Sequence, residues 1–152
     1  MNNVIFLDVD GVLNRNGYSP NRLEPELLKQ LARIIDETNA TIVLSSFWRL
    51  SPSLVAKLES AFADYGLVIH SHTPNGKALK TSRIVGGTQR GYEIQQWMDE
   101  NWTPDRFVIL DDNSDMVHLM PYLVKTPQFV GLTQPYADEA IKRLTPPSTA
   151  TG

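Results

Sequence analysis

Short apolar runs that end in polar residues alternate along this chain with stretches whose apolar positions recur every three or four residues. Val4-Ile5-Phe6-Leu7 is one such run, and it stops abruptly at Asp8-Val9-Asp10-Gly11. Four consecutive apolar residues, most of them β-branched or aromatic, predict a strand buried on both faces. From Leu23 onward, Leu27, Leu28, Leu31, Ile34 and Ile35 repeat at helical spacing. Pro25 suits the first turn of that helix, and Glu24 and Glu26 sit at its positive dipole end. Asn39-Ala40 closes it. Thr41-Ile42-Val43-Leu44 predicts a second buried strand, running into Ser45-Ser46-Phe47-Trp48-Arg49. Ser51-Pro52 reads as the N-cap and first residue of a helix carried by Leu54, Val55, Leu58, Ala61, Phe62 and Tyr65 and stopped by Gly66.

Leu67-Val68-Ile69 predicts a third strand. The segment from His70 to Gly91 has no clear period and contains Pro74, Asn75-Gly76 and Gly86-Gly87, which predicts a functional loop or a small hairpin. A helix begins near Gly91 with Ile94, Trp97 and Met98 on one side. Phe107-Val108-Ile109-Leu110 predicts a fourth buried strand, ending in Asp111-Asp112-Asn113-Ser114-Asp115. A short helix at Met116–Met120, a short strand at Phe129-Val130 and a helix from Pro135 to Leu144 complete the pattern. Strands alternating with helices predict right-handed parallel crossovers, and so an α/β, doubly wound, three-layer Rossmann-like sheet. Residues 1–145 form the one expected domain, with 146–152 as a disordered tail.

Composition narrows this little. At 152 residues, 41% hydrophobic and 20% charged, the chain has the size and balance of one soluble domain. A net charge of -3 argues against a generic nucleic-acid coat but leaves room for a local basic groove. The absence of cysteine excludes disulfides, thiolate nucleophiles and thiolate metal sites. Met1-Asn2-Asn3 offers no basic leader, and the apolar run after it is too short for a signal peptide or a membrane span, so the expected location is the cytoplasm with no membrane partner.

The candidate chemistry lies where strands end. In an open α/β sheet, ligands bind beyond the carboxyl ends of the strands. Three of the predicted strands end in polar groups: Asp8 and Asp10, Ser45 and Ser46, and Asp111 and Asp112. Together they would bring two acidic clusters and a hydroxyl pair to one edge, a layout suited to phosphoryl transfer. Carboxylates this close repel unless a cation or a shared proton compensates, and hard oxygen ligands of this kind suit Mg2+. A bare DxDG could also be a surface turn with capping aspartates. The calcium-loop alternative needs further ligands and a closing glutamate, which Val12-Leu13-Asn14-Arg15 does not supply.

On these motifs the chain resembles the haloacid dehalogenase (HAD) superfamily of aspartate-nucleophile phosphatases. Asp8-Val9-Asp10-Gly11-Val12 matches its first motif, Ser45 or Ser46 its second, Arg90 at the opening of Arg90-Gly91-Tyr92-Glu93-Ile94 its third, and Asp111-Asp112 its fourth. More narrowly, Leu7 to Asn14, Ser45 to Arg49, Arg90 to Trp97, Leu110 to Asp112 and Val130-Gly131-Leu132-Thr133 resemble the phosphatase domain of multi-enzyme RNA repair proteins. The resemblance implies that Asp8 is the nucleophile and Asp10 the acid and base. It also implies that Asp8, the Asp10 backbone carbonyl and Asp112 hold Mg2+, with Asp111 acting through water or by orientation. Ser45, with or without Ser46, would bind a phosphoryl oxygen, and Arg90 would offset transition-state charge, with Arg49 a second candidate for substrate phosphate.

Several positions keep two readings. The serines could be ordinary strand-end caps, and Lys77, Lys80 or Arg83 could replace Arg90 in the third motif. Trp48 and Trp97 read as core residues rather than base platforms. His70 and His72 read as solvated rather than metal ligands, and Asp115 as a helix N-cap or a supporting partner. The second aspartate argues for a phosphatase over a dehalogenase, because a dehalogenase has no leaving alkoxide to protonate. The spacers between motifs are too short for a large cap domain, so the expected substrate is a nucleic-acid 3′-phosphate end or a nucleotide. The alternatives are a small-molecule phosphatase, acting for instance on sugar phosphates, or a non-catalytic HAD-fold binding module.

Overall fold

Five strands, β1 (Asn3–Leu7), β2 (Thr41–Leu44), β3 (Ile69–His72), β4 (Arg106–Asp111) and β5 (Leu123–Lys125), form one sheet in the order β3-β2-β1-β4-β5. The structure is a computed structural model, described over residues 2–15, 21–75 and 89–147. All four strand pairings are parallel. The helices are α1 (Pro25–Thr38), α2 (Pro52–Ala63), α3 (Arg90–Glu100) and α4 (Gln134–Leu144), with 3-10 turns at Phe47–Leu50 and Val117–Tyr122.

Alternation along β1 divides the core in two. Ile5 and Leu7 pack with Leu28, Leu31 and Ile34 of α1, Leu58 and Phe62 of α2, and Ala137, Ala140 and Leu144 of α4. Val4 and Phe6 point the other way, against Ile94, Trp97 and Met98 of α3 together with Met116 and Leu119. Every residue of β1 is buried, as its unbroken apolar run requires. The predicted three-layer, doubly wound Rossmann-like fold is therefore present, and no large cap domain is inserted among the described residues.

This winding locates the site. The chain runs from β1 outward to β2 and β3, then crosses back to place β4 on the other side of β1. The carboxyl ends of β1 and β4 thus flank the point where strand order reverses, the crevice where such sheets bind ligands.

Three local expectations are corrected. The third strand begins at Ile69 rather than Leu67, because Leu67 N–H still bonds back to the Phe62 carbonyl in the turn after α2, and Val68 is 76% exposed. Phe129-Val130 is not a strand. It lies in a turn in which Val130 and Gly131 N–H both bond to the Pro127 carbonyl. The fifth strand is Leu123–Lys125, just after the stretch where the sequence predicts a short helix. Residues 16–20, 76–88 and the tail from 148 lie outside the described residues. Among those described, no helix is long and apolar enough to cross a membrane.

Candidate active site

Sheet pairing continues one step beyond β1 on both sides. Asp8 N–H bonds to the Leu110 carbonyl at 2.9 Å, and Ser45 N–H to the Leu7 carbonyl at 2.8 Å. Asp8 is thereby fixed between the end of β2 and the end of β4. The chain then turns sharply, with Val12 and Leu13 N–H both bonded to the Val9 carbonyl. Gly11 makes that turn at φ +80°, where a side chain would be strained. A Cβ there would lie 2.4 Å from Asp112 Oδ2, so this position also needs glycine to let Asp112 approach. Asn14 Oδ1 accepts from Gly11 N–H at 3.0 Å, and the Thr126 hydroxyl donates to the Gly11 carbonyl at 2.7 Å.

Asp8, Asp111 and Asp112 each offer a carboxylate oxygen within 4.8 Å of the others. Arg90, the first residue of α3, places Nη1 3.0 Å from Asp8 Oδ1 and 2.9 Å from Asp111 Oδ2. Its reach depends on Gly91: a Cβ at that position would fall 2.0 Å from the Met116 carbonyl oxygen, so only glycine lets the start of α3 lie on this loop. Asp115 completes the contact, accepting Gly91 N–H through its carbonyl at 3.0 Å and Arg90 N–H through Oδ2 at 3.3 Å.

The electrostatics follow from burying two carboxylates, with a third half-buried beside them, against one guanidinium. Burial, then the charge of Asp111, pushes the Asp8 carboxyl well above its usual range. Burial likewise lifts Asp111 from the ordinary 3.8 to about 6, despite the opposing pull of Arg90. Burial works against the charge on Arg90, but Asp8 and Asp111 outweigh it and raise its guanidinium further. The cluster keeps an excess of negative charge on hard oxygen donors, a set that fits Mg2+. Within it, Asp111 Oδ1 already accepts Asn113 N–H at 2.9 Å and Oδ2 accepts from Arg90, so its carboxylate is oriented from both sides.

Asp10 stands outside this acidic group, and its carboxylate is held by one donor on each oxygen. Asn14 Nδ2 bonds Oδ1 at 2.9 Å and Trp48 Nε1 bonds Oδ2 at 3.2 Å. The two serines separate clearly. Ser46 Oγ accepts from Trp48 N–H at 3.1 Å and caps the 3-10 turn. Ser45 Oγ is buried with no hydrogen-bond partner among the described residues, an orphaned hydroxyl at the carboxyl end of β2.

Arg49 does not present a free guanidinium to substrate. It donates to the carbonyls of Thr73, Ser46 and Pro74 and pairs with Glu93 at 3.0 Å, its side chain only 2% exposed. Its physical role is to brace the turn after β2 against α3 and the turn after β3. Lys77, Lys80 and Arg83 lie outside the described residues. His70 and His72 are exposed on edge strand β3, and neither belongs to the acidic cluster.

Compared with known protein families, residues 4–137 match a family described as the HAD domain in Swiss Army Knife RNA repair proteins. The chain belongs to this family. Among curated proteins, none matches it. In this HAD domain the structure adds supporting residues that motif spacing does not reveal. The Trp48 indole is core by burial, yet its N–H reaches Asp10; Thr126 and Gly91 sit far from the first-motif aspartates in sequence. For Asn14 a signal existed, a polar residue ending an otherwise apolar Val12-Leu13 step, but its two hydrogen bonds, donated to Asp10 and accepted from Gly11 N–H, require the folded turn.

Proposed function

We propose that this HAD domain is a magnesium-dependent phosphomonoesterase that works through an aspartyl-phosphate on Asp8 and acts on the phosphorylated end of a nucleic acid. The observation that carries the reading is the division of labour between two aspartates two residues apart. Asp8 lies in a buried acidic cluster against Arg90, while Asp10 is held separately by Trp48 and Asn14. A nucleophile and a proton donor need such different settings.

In the first step an Asp8 oxygen forms a bond to phosphorus, the bond from phosphorus to the leaving oxygen breaks, and Asp10 delivers its proton to that oxygen. In the second, water attacks the same phosphorus, Asp10 takes a proton from it, and inorganic phosphate leaves with Asp8 restored. Ser45 Oγ, buried without a hydrogen-bond partner among the described residues, would donate to a phosphoryl oxygen, and Arg90, in contact with Asp8, would offset charge beside the nucleophile. Asp8 must be ionised to attack, and Mg2+ bound by Asp8, Asp112 and the Asp10 carbonyl would supply the positive charge that keeps it so, with Asp111 orienting Arg90.

The polymer end is favoured by the lack of a large cap among the described residues and by the RNA repair context of the family. The test compares specificity constants for a short 3′-phosphorylated oligonucleotide and the matching 3′-mononucleotide across a salt series, with and without magnesium. The oligonucleotide should be preferred, and its advantage should shrink as salt rises. A better mononucleotide, or no salt dependence, would assign the site to small nucleotides instead.

A further inference from the structure

Phe47 is 73% exposed, although its neighbours Trp48 and Arg49 are buried. It is not a loosely held surface residue. The 3-10 turn that carries it is capped by Ser46 Oγ, anchored through the Trp48 indole to Asp10, and pinned by the Arg49 hydrogen bonds. Full burial of its ring, the usual stabilising fate of such a side chain, goes mostly unrealised here. The ring instead stands over Arg90, its centroid 5.4 Å from the guanidinium carbon, and that guanidinium touches Asp8. One guanidinium therefore separates an open aromatic face from the nucleophile.

A nucleobase hangs one sugar ring away from its terminal phosphate, a comparable separation. Aromatic side chains that bind single-stranded nucleic acid do so by stacking on any base. We propose that Phe47 is the stacking platform for the nucleobase of the terminal nucleotide, so that the domain recognises a nucleotide end by its base without reading base identity. This rests on the phosphatase reading and adds to it the residue that selects nucleotides over other phosphomonoesters.

The test uses 2′-deoxyadenosine 3′-monophosphate and its abasic counterpart, 1,2-dideoxyribose 3-phosphate, with the wild type, Phe47→Leu and Phe47→Trp. Leucine keeps apolar cover over Arg90 but removes the π face. Phe47→Leu should lose about 5–100-fold in kcat/KM on the nucleotide, mainly through KM, and several-fold less on the abasic substrate. Phe47→Trp should match or exceed the wild type on the nucleotide. Equal losses on the two substrates would mean that the ring serves Arg90 alone, and full nucleotide activity in Phe47→Leu would remove its role; either result overturns the inference while leaving the phosphatase reading intact. Binding gives a readout independent of turnover: Phe47→Trp should gain emission that the nucleotide quenches and the abasic compound does not. Lack of that difference overturns the platform, whereas quenching without phosphate release from any substrate would uphold it and sink the phosphatase reading instead.

Discussion

Gly11→Ala tests how tightly the first motif is locked to the last. The substitution has two separable costs. A left-handed backbone at φ +80° disfavours alanine by roughly 1–2 kcal/mol. For a domain of this size that lowers the melting temperature by about 2–8 °C. The second cost is local: the new methyl would sit 2.4–2.8 Å from the Oδ2, Cγ and Cβ atoms of Asp112, so the Asp112 side chain must swing away. Displacing one of three clustered carboxylates should weaken Mg2+ binding by about 10–100-fold, the range seen when groups that support a metal are lost. Gly66→Ala supplies the control, because Gly66 has φ +68° but nothing lies within 4 Å of the place a Cβ would occupy. Calorimetric titration with Mg2+, paired with thermal melts, should show similar melting losses for the two variants and weakened magnesium binding only for Gly11→Ala. Equal magnesium affinities would refute the claim that Gly11 exists to admit Asp112.

Asp112→Ala should weaken Mg2+ binding more than Asp111→Ala, since the resemblance puts the second aspartate of the fourth motif in the direct ligand position; the reverse order in magnesium titrations would exchange their roles. Asp10→Asn should cost on the order of 10²-fold or more in turnover of alkyl phosphates and less for nitrophenyl phosphate, whose leaving group needs no proton; Trp48→Phe, which removes the N–H to Asp10 together with part of the buried indole volume, should lose about 10-fold with the same leaving-group trend. The folded state holds the Asp111 proton up to about 6 while the unfolded chain releases it near 3.8, so metal-free stability should fall as pH rises through that window, by about 3 kcal/mol relative to Asp111→Asn, and magnesium should restore it. Melting curves without metal that run parallel for the two proteins between about pH 4 and about pH 7 would contradict this.

Much of the fold was legible because β1, β2 and β4 are buried on both faces and so read as unbroken apolar runs, while α1 shows its buried stripe at Leu27, Leu28, Leu31 and Ile34. Edge strands carry a weaker signal. β3 exposes His70 and His72 on one face, so the apolar triplet Leu67-Val68-Ile69, which overlaps it only at Ile69, misplaced the strand, and β5 is only three residues long. The motif aspartates were legible from their position after apolar runs, and the sheet order explains why they meet. What spacing could not supply was the state of each donor: that Ser46 is a cap while Ser45 is unpartnered among the described residues, or that Arg49 turns inward to Glu93. Those outcomes depend on which acceptors the fold brings within reach, and chain order does not encode that locally.

The central claim is that Asp8 carries the phosphoryl group, and the direct measurement is mass analysis of the peptide containing Asp8 after acid quench. The Asp10→Asn variant, given nitrophenyl phosphate and Mg2+, should release nitrophenol in a burst and accumulate a peptide heavier by one phosphoryl group, because its second step lacks a base. The same treatment of Asp8→Asn should give neither burst nor adduct, with the melting temperature retained. A phosphoryl adduct on another residue, or magnesium-dependent turnover in Asp8→Asn, would contradict the account.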